Sequence, residues 1–357
     1  MRVVQLIDSL QTGGAERMAV NFANALADEI EFSGLIATRK EGALKEQLST
    51  KVDYVFLDKR KSLDIRALLK LKKYIKNNKI DIIHAHSSSF FYAVLVKFLG
   101  VRCKIVWHDH NGNRAALSLK QNKPIVLLSG FFKGVITCST VLEEWSRQHL
   151  KSKNIRYIPN FTCIPEKEKS ITQLKGKEGK RIVCLANLRN PKNHSTLLKT
   201  FAVVAKANPE WTLHCIGNDY HDSYSNSLKQ LTEKMQLQNN IYIYGGCSDV
   251  YSILKQCDIG VLLSTYEGFP VALLEYGMSG LSVLSTNVGY CSNVVSDGVS
   301  GFLVEPLNEE QIVTKMKILV ADTNLRIAFA KNLHTFVNDN FSKEAVIKTI
   351  VTFYQSL

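Results

Sequence analysis

Glu267 and Glu275 stand at the two ends of the apolar run Gly-Phe-Pro-Val-Ala-Leu-Leu. A surface helix spreads its charges along one face, so this spacing suggests a loop followed by a helix. Pro270 suits the first helical position, where its missing N–H costs nothing. The helix then reads PVALLEYGMSG, with Glu275 about one and a half turns in. Its free N–H groups and positive dipole end suit a phosphate. Carboxylates repel phosphate, so both glutamates are assigned to hydroxyls, such as those of a sugar or a ribose diol. The plainer alternative is that Glu275 only complements the helix dipole.

Three other stretches carry candidate chemistry. In SLQTGGAER, Gly13 and Gly14 let backbone approach an anion closely before a helix start, although a plain tight turn fits too. In LANLRNPKNH, Arg189 and Lys192 follow a strand within a turn and suit a diphosphate, or are simply solvated. His84 and His86 end one expected strand, and His108 and His110 end another. Alternate strand residues share a face. Such rings could bind zinc, could be hydrogen-bonded structural groups, or could meet a substrate hydroxyl or stabilise transferred charge. Asp-x-Asp, Gly-x-Ser-x-Gly and His-Glu-x-x-His are all absent from the sequence, so divalent-metal sugar-nucleotide, acyl hydrolase and zinc protease readings lack their usual anchors.

These groups need a scaffold. The first half alternates expected strands (2–8, 32–38, 80–86, 103–110, 134–139) with helices (15–28, 64–78, 90–100). Residues 155–180 read as an interdomain connection, with two prolines, a charged stretch and a Gly-Lys-rich end. Alternation restarts with strands at 181–187, 211–217, 240–245 and 258–264 and helices at 194–208, 226–237 and 250–257. This is an α/β pattern of two doubly wound parallel sheets, with ligands beyond the carboxyl ends of the strands in an interdomain cleft. A length of 357 residues agrees with two domains.

Eight cysteines without any Cys-x-x-Cys pair read as buried free thiols in a reducing compartment. The start lacks a signal-peptide pattern, and no apolar run is long enough to span a bilayer. Residues 1–160 hold 26 Lys and Arg against 14 Asp and Glu, whereas residues 161–357 hold 19 against 18. The basic half therefore faces something anionic. No nucleic-acid motif or interleaving of aromatic and basic residues appears, so nucleic acid is not the expected partner. A glycine fingerprint after the first strand is also missing, which argues against a dinucleotide oxidoreductase.

The segment 266–306 resembles the signature region of retaining glycosyltransferases of family four, of the bacterial polysaccharide and glycan-assembly type. GGAER, IIHAH, IPN, ANLRNPKNH and the tail FSKEAVIKTIVTFYQSL also fit that family in order, so the resemblance covers nearly the whole chain. It implies the GT-B fold, with two tandem Rossmann-like domains facing across a cleft. Residues 1–160 would bind the acceptor and 161–337 the nucleotide sugar, with 338–357 a helix returning to the N-terminal domain. Glu267 would touch the donor sugar, beside backbone from Gly268, Phe269, Pro270 and Val271. Glu275 would hold the ribose. Lys192 and Arg189 would neutralise the diphosphate, with Gly13 and Gly14 approaching the phosphate and His108 beside the sugar. Asn187 stands where the family often has arginine, and Pro270 where it often has glycine. His84, His86, His110 and Arg17 fall to the acceptor side.

The resemblance also implies metal-independent transfer from a UDP-linked sugar, without a cofactor, in cell-surface polysaccharide synthesis. The basic, leucine-bearing helix DIRALLKLKKYIKNNK suits an anionic membrane surface. The acceptor is then a glycan or a polyprenyl-diphosphate-linked sugar, and the expected location is cytoplasmic, on the inner face of the cell membrane. The nearest rival is a sugar-nucleotide epimerase or phosphorylase of the same fold.

Overall fold

A computed structural model describes residues 1–112, 114–164 and 170–357. Positions 165–169 of the expected connection lie outside the described residues. The chain forms two compact units, Met1–Cys163 with Lys343–Leu357, and Ile164–Ser342. The divisions fall at 163/164 and 342/343, against the expected 160/161 and 337/338.

The first unit contains β1 (Arg2–Ser9), α1 (Gly14–Leu26), β2 (Phe32–Lys40), β3 (Asp53–Phe56), α2 (Ile65–Asn77), β4 (Ile82–His86), α3 (Phe90–Phe98), β5 (Lys104–Asp109), α4 (Leu119–Leu128), β6 (Gly134–Thr137), α5 (Thr140–His149) and β7 (Ile155–Tyr157). The second contains β8 (Arg181–Leu185), α6 (His194–Ala207), β9 (Thr212–Ile216), α7 (Ser223–Lys234), β10 (Ile241–Gly245), α8 (Val250–Leu254), β11 (Ile259–Leu262), α9 (Val271–Met278), β12 (Ser282–Thr286), β13 (Phe302–Val304), α10 (Glu309–Ala321) and α11 (Thr323–Phe341). The last helix, α12 (Lys343–Gln355), belongs to the first unit.

All strand pairings between the named strands are parallel, in the orders β3-β2-β1-β4-β5-β6-β7 and β10-β9-β8-β11-β12-β13. Each order reverses beside its first strand, between β1 and β4 and between β8 and β11. At such a switch point the connections leave to opposite faces and open a crevice beyond the strand ends. Parallel strands covered on both faces are buried on both, so they read as mainly apolar runs whose few polar side chains need partners. Accordingly β4, β9 and β12 are buried along their whole length.

The helices supply the covering layers. From α12, Val346, Ile347, Ile350, Phe353 and Tyr354 pack with Val3, Ile82, Val106 and Ile136 of the first sheet. Burial of side chains this size stabilises by roughly 1.5–3 kcal/mol each, enough to hold a 13-residue helix in place. Helix α2 begins at Asp64, whose carboxylate accepts from Ala67 N–H at 3.1 Å, and buries Ala67, Leu71, Tyr74 and Ile75. Leu71 and Ile75 thus serve the core rather than a membrane face, while Ile65 and Leu69 stay exposed beside the lysines.

The strands β3, β7, β12 and β13 are not among those expected from the sequence; β3, β7 and β13 have only three or four residues and give no usable period, and SVLST of β12 is mostly hydroxyl residues. The apolar run from Pro124 forms the end of α4, which starts with a Ser118–Gln121 capping box, followed by a 3-10 turn.

Candidate active site

In the second unit the groups converge at the β8–β11 switch point. Lys192 lies in the turn after β8 and Glu267 in the loop after β11. The ammonium of Lys192 donates to Glu267 Oε1 at 2.5 Å, and Ser264 Oγ donates to the same oxygen at 2.6 Å. The pair is largely enclosed, with 20% of the lysine and 8% of the glutamate side chain exposed. Enclosure weakens water screening, so this pair is costly to break on one side only.

Several residues build this geometry. Thr265 N–H donates to Pro191 O at 2.9 Å, and Asn193 Nδ2 donates to Leu263 O at 3.2 Å, tying the two loops together. Asn193 caps α6 in the left-handed region at φ 56°, which asparagine tolerates. Thr286 Oγ1, at the end of β12, donates to Ser264 O at 2.6 Å. Gly289 has φ +54°, and a Cβ there would stand 1.7 Å from Glu267 O. Only glycine permits that approach, so Gly289 sets where Glu267 sits. The sequence alone does not single out Ser264 or Gly289, because SxxE and a Gly-Tyr turn are too common.

Glu275 is buried on α9, 4% exposed. Two expectations about this helix change. Pro270 is its N-cap, with φ −83° and ψ 80°, rather than its first helical residue. Val271 N–H is occupied by Phe269 O at 3.0 Å, and Leu273 N–H by Pro270 O at 3.0 Å. The helix end therefore has fewer open donors than its sequence suggests, because proline turns the chain tightly before the first full turn. Phe269 stacks on Tyr290 with centroids 5.0 Å apart, and Gly268 precedes it in the loop.

Asn187 Oδ1 accepts from Asn218 N–H at 2.9 Å. This bond joins the exits of β8 and β9. Arg189 is exposed in the same turn as Lys192 and makes no ion pair among the described residues, so the structure groups Lys192 with Glu267 and leaves Arg189 apart.

The first unit presents a different chemistry. His84 and His86 on β4 and His108 and His110 at the end of β5 form one stacked cluster. Ring centroids are 4.3 Å apart for His84–His86 and 3.9 Å for His108–His110. Tyr354 bonds His84 Nδ1 at 2.6 Å, and His84 Nε2 bonds His108 Nδ1 at 3.2 Å. Gln5 Oε1 bonds His86 Nε2 at 2.9 Å, and His86 Nδ1 bonds His110 Nε2 at 2.9 Å. Phe22 of α1 presents its edge to His84 and His108. Burial pushes the pKa of His84, His86 and His108 well below the ordinary value and that of His110 down to about 3. The rings are therefore neutral near pH 7 and act as hydrogen-bonding groups.

His84, His86 and His108 bring ring nitrogens within 4.8 Å of one another. Most of those nitrogens are engaged with each other, Gln5 and Tyr354. The cluster is thus a hydrogen-bonded ladder. His108, expected beside a sugar, is fully enclosed under Phe22, whereas residue His110 is half-buried, with its ring Nδ1 enclosed and without a hydrogen-bond partner. The strand pleat turns His108 inward; His110 lies beyond the last strand residue. Asp109 is buried on an ion pair with Arg114, and its pKa is raised by burial against the pull of that guanidinium.

Gly13 is the N-cap of α1, and a Cβ there would stand 2.3 Å from Glu16 Oε2. That carboxylate lies at the helix end where the sequence suggests phosphate, so an anion would have to displace it. Arg17 is buried and donates to Gln47 Oε1. All eight cysteines are free. Burial raises Cys184 and Cys291, both in the second unit, to about 12, which keeps them protonated and removes them as nucleophiles.

Two Rossmann-like sheets, one with an enclosed lysine–glutamate pair beyond its strand ends, leave the class of protein to comparison with known proteins. Residues 166–335 match the glycosyl transferases group 1 model, and residues 12–162 match the Glycosyltransferase Family 4 model. The chain belongs to this family and is a glycosyltransferase with the GT-B fold. It is 24% identical to an uncharacterised glycosyltransferase of Haemophilus influenzae over 94% of both chains. It is also 24% identical to the Escherichia coli UDP-Gal:alpha-D-GlcNAc-diphosphoundecaprenol alpha-1,3-galactosyltransferase, over 95% of this chain and 92% of that one. Among solved structures, Anabaena HepE in complex with UDP and glucose superposes with a TM-score of 0.80 over 100% of both chains at 19% identity.

Proposed function

We propose that the protein is a retaining, metal-independent transferase that moves a hexose or N-acetylhexosamine from a UDP-sugar to a lipid-diphosphate-linked glycan during cell-surface polysaccharide synthesis. The observation that carries this reading is the enclosed Lys192–Glu267 pair at the switch point of the second sheet. A group that must neutralise a leaving diphosphate and a group that must grip sugar hydroxyls are held there together. The diphosphate named for the Escherichia coli relative's donor and acceptor suits the same chemistry.

On this reading the donor's diphosphate draws Lys192 away from Glu267. The freed carboxylate accepts from the sugar hydroxyls, and Glu275 accepts from the ribose. The bond from the anomeric carbon to the β-phosphate oxygen breaks, and Lys192 stabilises the charge that develops. The departing oxygen takes the acceptor hydroxyl's proton while the acceptor oxygen bonds the same face of the sugar. Glu267 positions the donor and is not a base. In the first unit, His110 offers a neutral ring to a hydroxyl, with the other three histidines fixing its orientation. The exposed Ile65 and Leu69 beside the lysines of α2 support contact between that unit and an anionic membrane on its inner face.

The test is transfer from UDP-GlcNAc, UDP-Gal and UDP-Glc to a polyprenyl-diphosphate-linked sugar with EDTA present, and the anomeric configuration of the product. Expected is an α-linked product formed at an EDTA-independent rate. Acceptor-independent epimerisation or phosphorolysis as the main reaction would replace this reading with the rival one, and an inverted product would remove the retaining claim.

A further inference from the structure

The amino-terminal edges of β4 and β5, at the end of the first sheet away from the histidines, border a cavity of about 700 Å³. That volume suits a small ligand. Ile75, Ile80, Ile82 and Val101 form an apolar floor, all buried. Lys76, Lys79, Arg102 and Lys104 stand around it, all exposed, and none makes an ion pair among the described residues. The opposing charge is smaller. Asp81 is the one carboxylate of the lining, and its Oδ2 already accepts from Arg2 N–H at 2.8 Å. Residues at the ends of α2 and α12 also line the cavity, and a helix C-terminus carries about half a negative charge. Four cations outweigh these terms, so the cavity favours an anion. Met1 also lines it, with its amine 3.7 Å from Glu31.

An apolar floor under a basic rim fits an amphiphile better than a free ion. Phe98, the last residue of α3, is 67% exposed just before Gly100 and Val101 of the lining. Its ring meets Phe131 edge-on at 5.3 Å. An exposed aromatic beside unpaired cations is the composition of a membrane-interface contact.

We propose that this cavity binds the phosphate of an anionic lipid headgroup, the floor taking the first methylenes, and seats the first unit on the membrane. The inference rests on the reading that this unit meets an anionic membrane, and it names the contact. It is independent of the donor site.

Co-sedimentation of the full chain with vesicles of phosphatidylcholine, with and without about one third phosphatidylglycerol, tests it at near-physiological salt. One variant carries Lys76→Ala, Lys79→Ala, Arg102→Ala and Lys104→Ala. A control removes as much charge from exposed positions of the same unit, outside both α2 and the cavity, through Lys133→Ala, Lys151→Ala, Lys153→Ala and Arg156→Ala. The wild type is expected to bind only the anionic vesicles, with partitioning reduced at least tenfold in the cavity variant and under threefold in the control. The single exposed substitutions Arg102→Glu and Lys104→Glu give the same ordering should the fourfold variant fold poorly. Equal losses in both fourfold variants overturn the cavity in favour of a diffuse basic surface. No vesicle binding by the wild type overturns the membrane reading and this proposal together. Saturable binding of inorganic phosphate that fully displaces the vesicles at equal occupancy overturns the lipid assignment in favour of a free-anion site. UDP binding and transfer to a water-soluble acceptor are expected unchanged in the cavity variant, which separates this outcome from failure of the donor assignment.

Discussion

The two units share a topology and differ in what they place at its switch point. The first stacks four imidazoles that burial keeps uncharged, wired to Gln5 and Tyr354. The second encloses an ammonium against a carboxylate. Doubly wound sheets fix where a ligand goes, not which chemistry receives it. A neutral ladder suits hydroxyls, because it donates and accepts without drawing counterions. An enclosed ion pair suits a diphosphate, because a charge already desolvated is easily exchanged between partners.

The contrast breaks most visibly if the charged pair is removed. Lys192→Ala and Glu267→Ala are each expected to lower transfer at least 100-fold, roughly 3 kcal/mol or more of transition-state stabilisation. Each also leaves a partner enclosed without its counter-charge, so melting falls in the single variants and recovers in part when Lys192→Met and Glu267→Gln are combined. Initial rates and thermal melts on one preparation separate the two effects. Full activity in either single variant would remove the pair from the mechanism.

Acid sharpens the contrast next. Folding holds the pKa values of the four stacked rings below the ordinary 6.5, so the unfolded chain binds more protons below that value. The stability they confer is complete above pH 6.5 and is lost as pH falls toward 3. The second unit has two such rings, His194 and His214, each held at about 4 by burial. At about 1.4 kcal/mol per pH unit for each ring, the first unit loses stability up to twice as steeply. Trp107 and Trp145 report on it and Trp211 on the second unit, so hydrogen exchange around these residues at pH 6 and pH 5 checks the order. Earlier loosening of the second unit would contradict it.

Smaller effects follow. Gly289→Ala forces a Cβ against Glu267 O and is expected to slow transfer 10- to 100-fold with little change in UDP affinity. Arg189→Ala removes an exposed cation and is expected to cost less than tenfold, mostly in KM. A larger loss at Arg189 would mean that it, with Lys192, carries the leaving group.

Much of this is legible in the sequence because period and punctuation report local physics. Strand–helix alternation announces both sheets, and the Glu267–Glu275 spacing announces a loop followed by a helix. What stays hidden depends on distant residues. Nothing local to Gly289 says that its Cβ would strike residue 267. The paired basic and apolar residues of α2 look like a membrane face, but Leu71 and Ile75 are core. Two histidines two residues apart give no hint that one is enclosed under Phe22 while the other is only half-buried. Asn187 looks like a lost arginine, and nothing local says that its Oδ1 accepts from Asn218 N–H across two strand exits.

The measurement closest to the central claim is hydrogen exchange on the full chain with and without saturating UDP. The account predicts protection of the turn 186–193 and the loop 264–271 in the wild type, and loss of that protection in Lys192→Ala. Protection absent from both segments, or unchanged by Lys192→Ala, would contradict it.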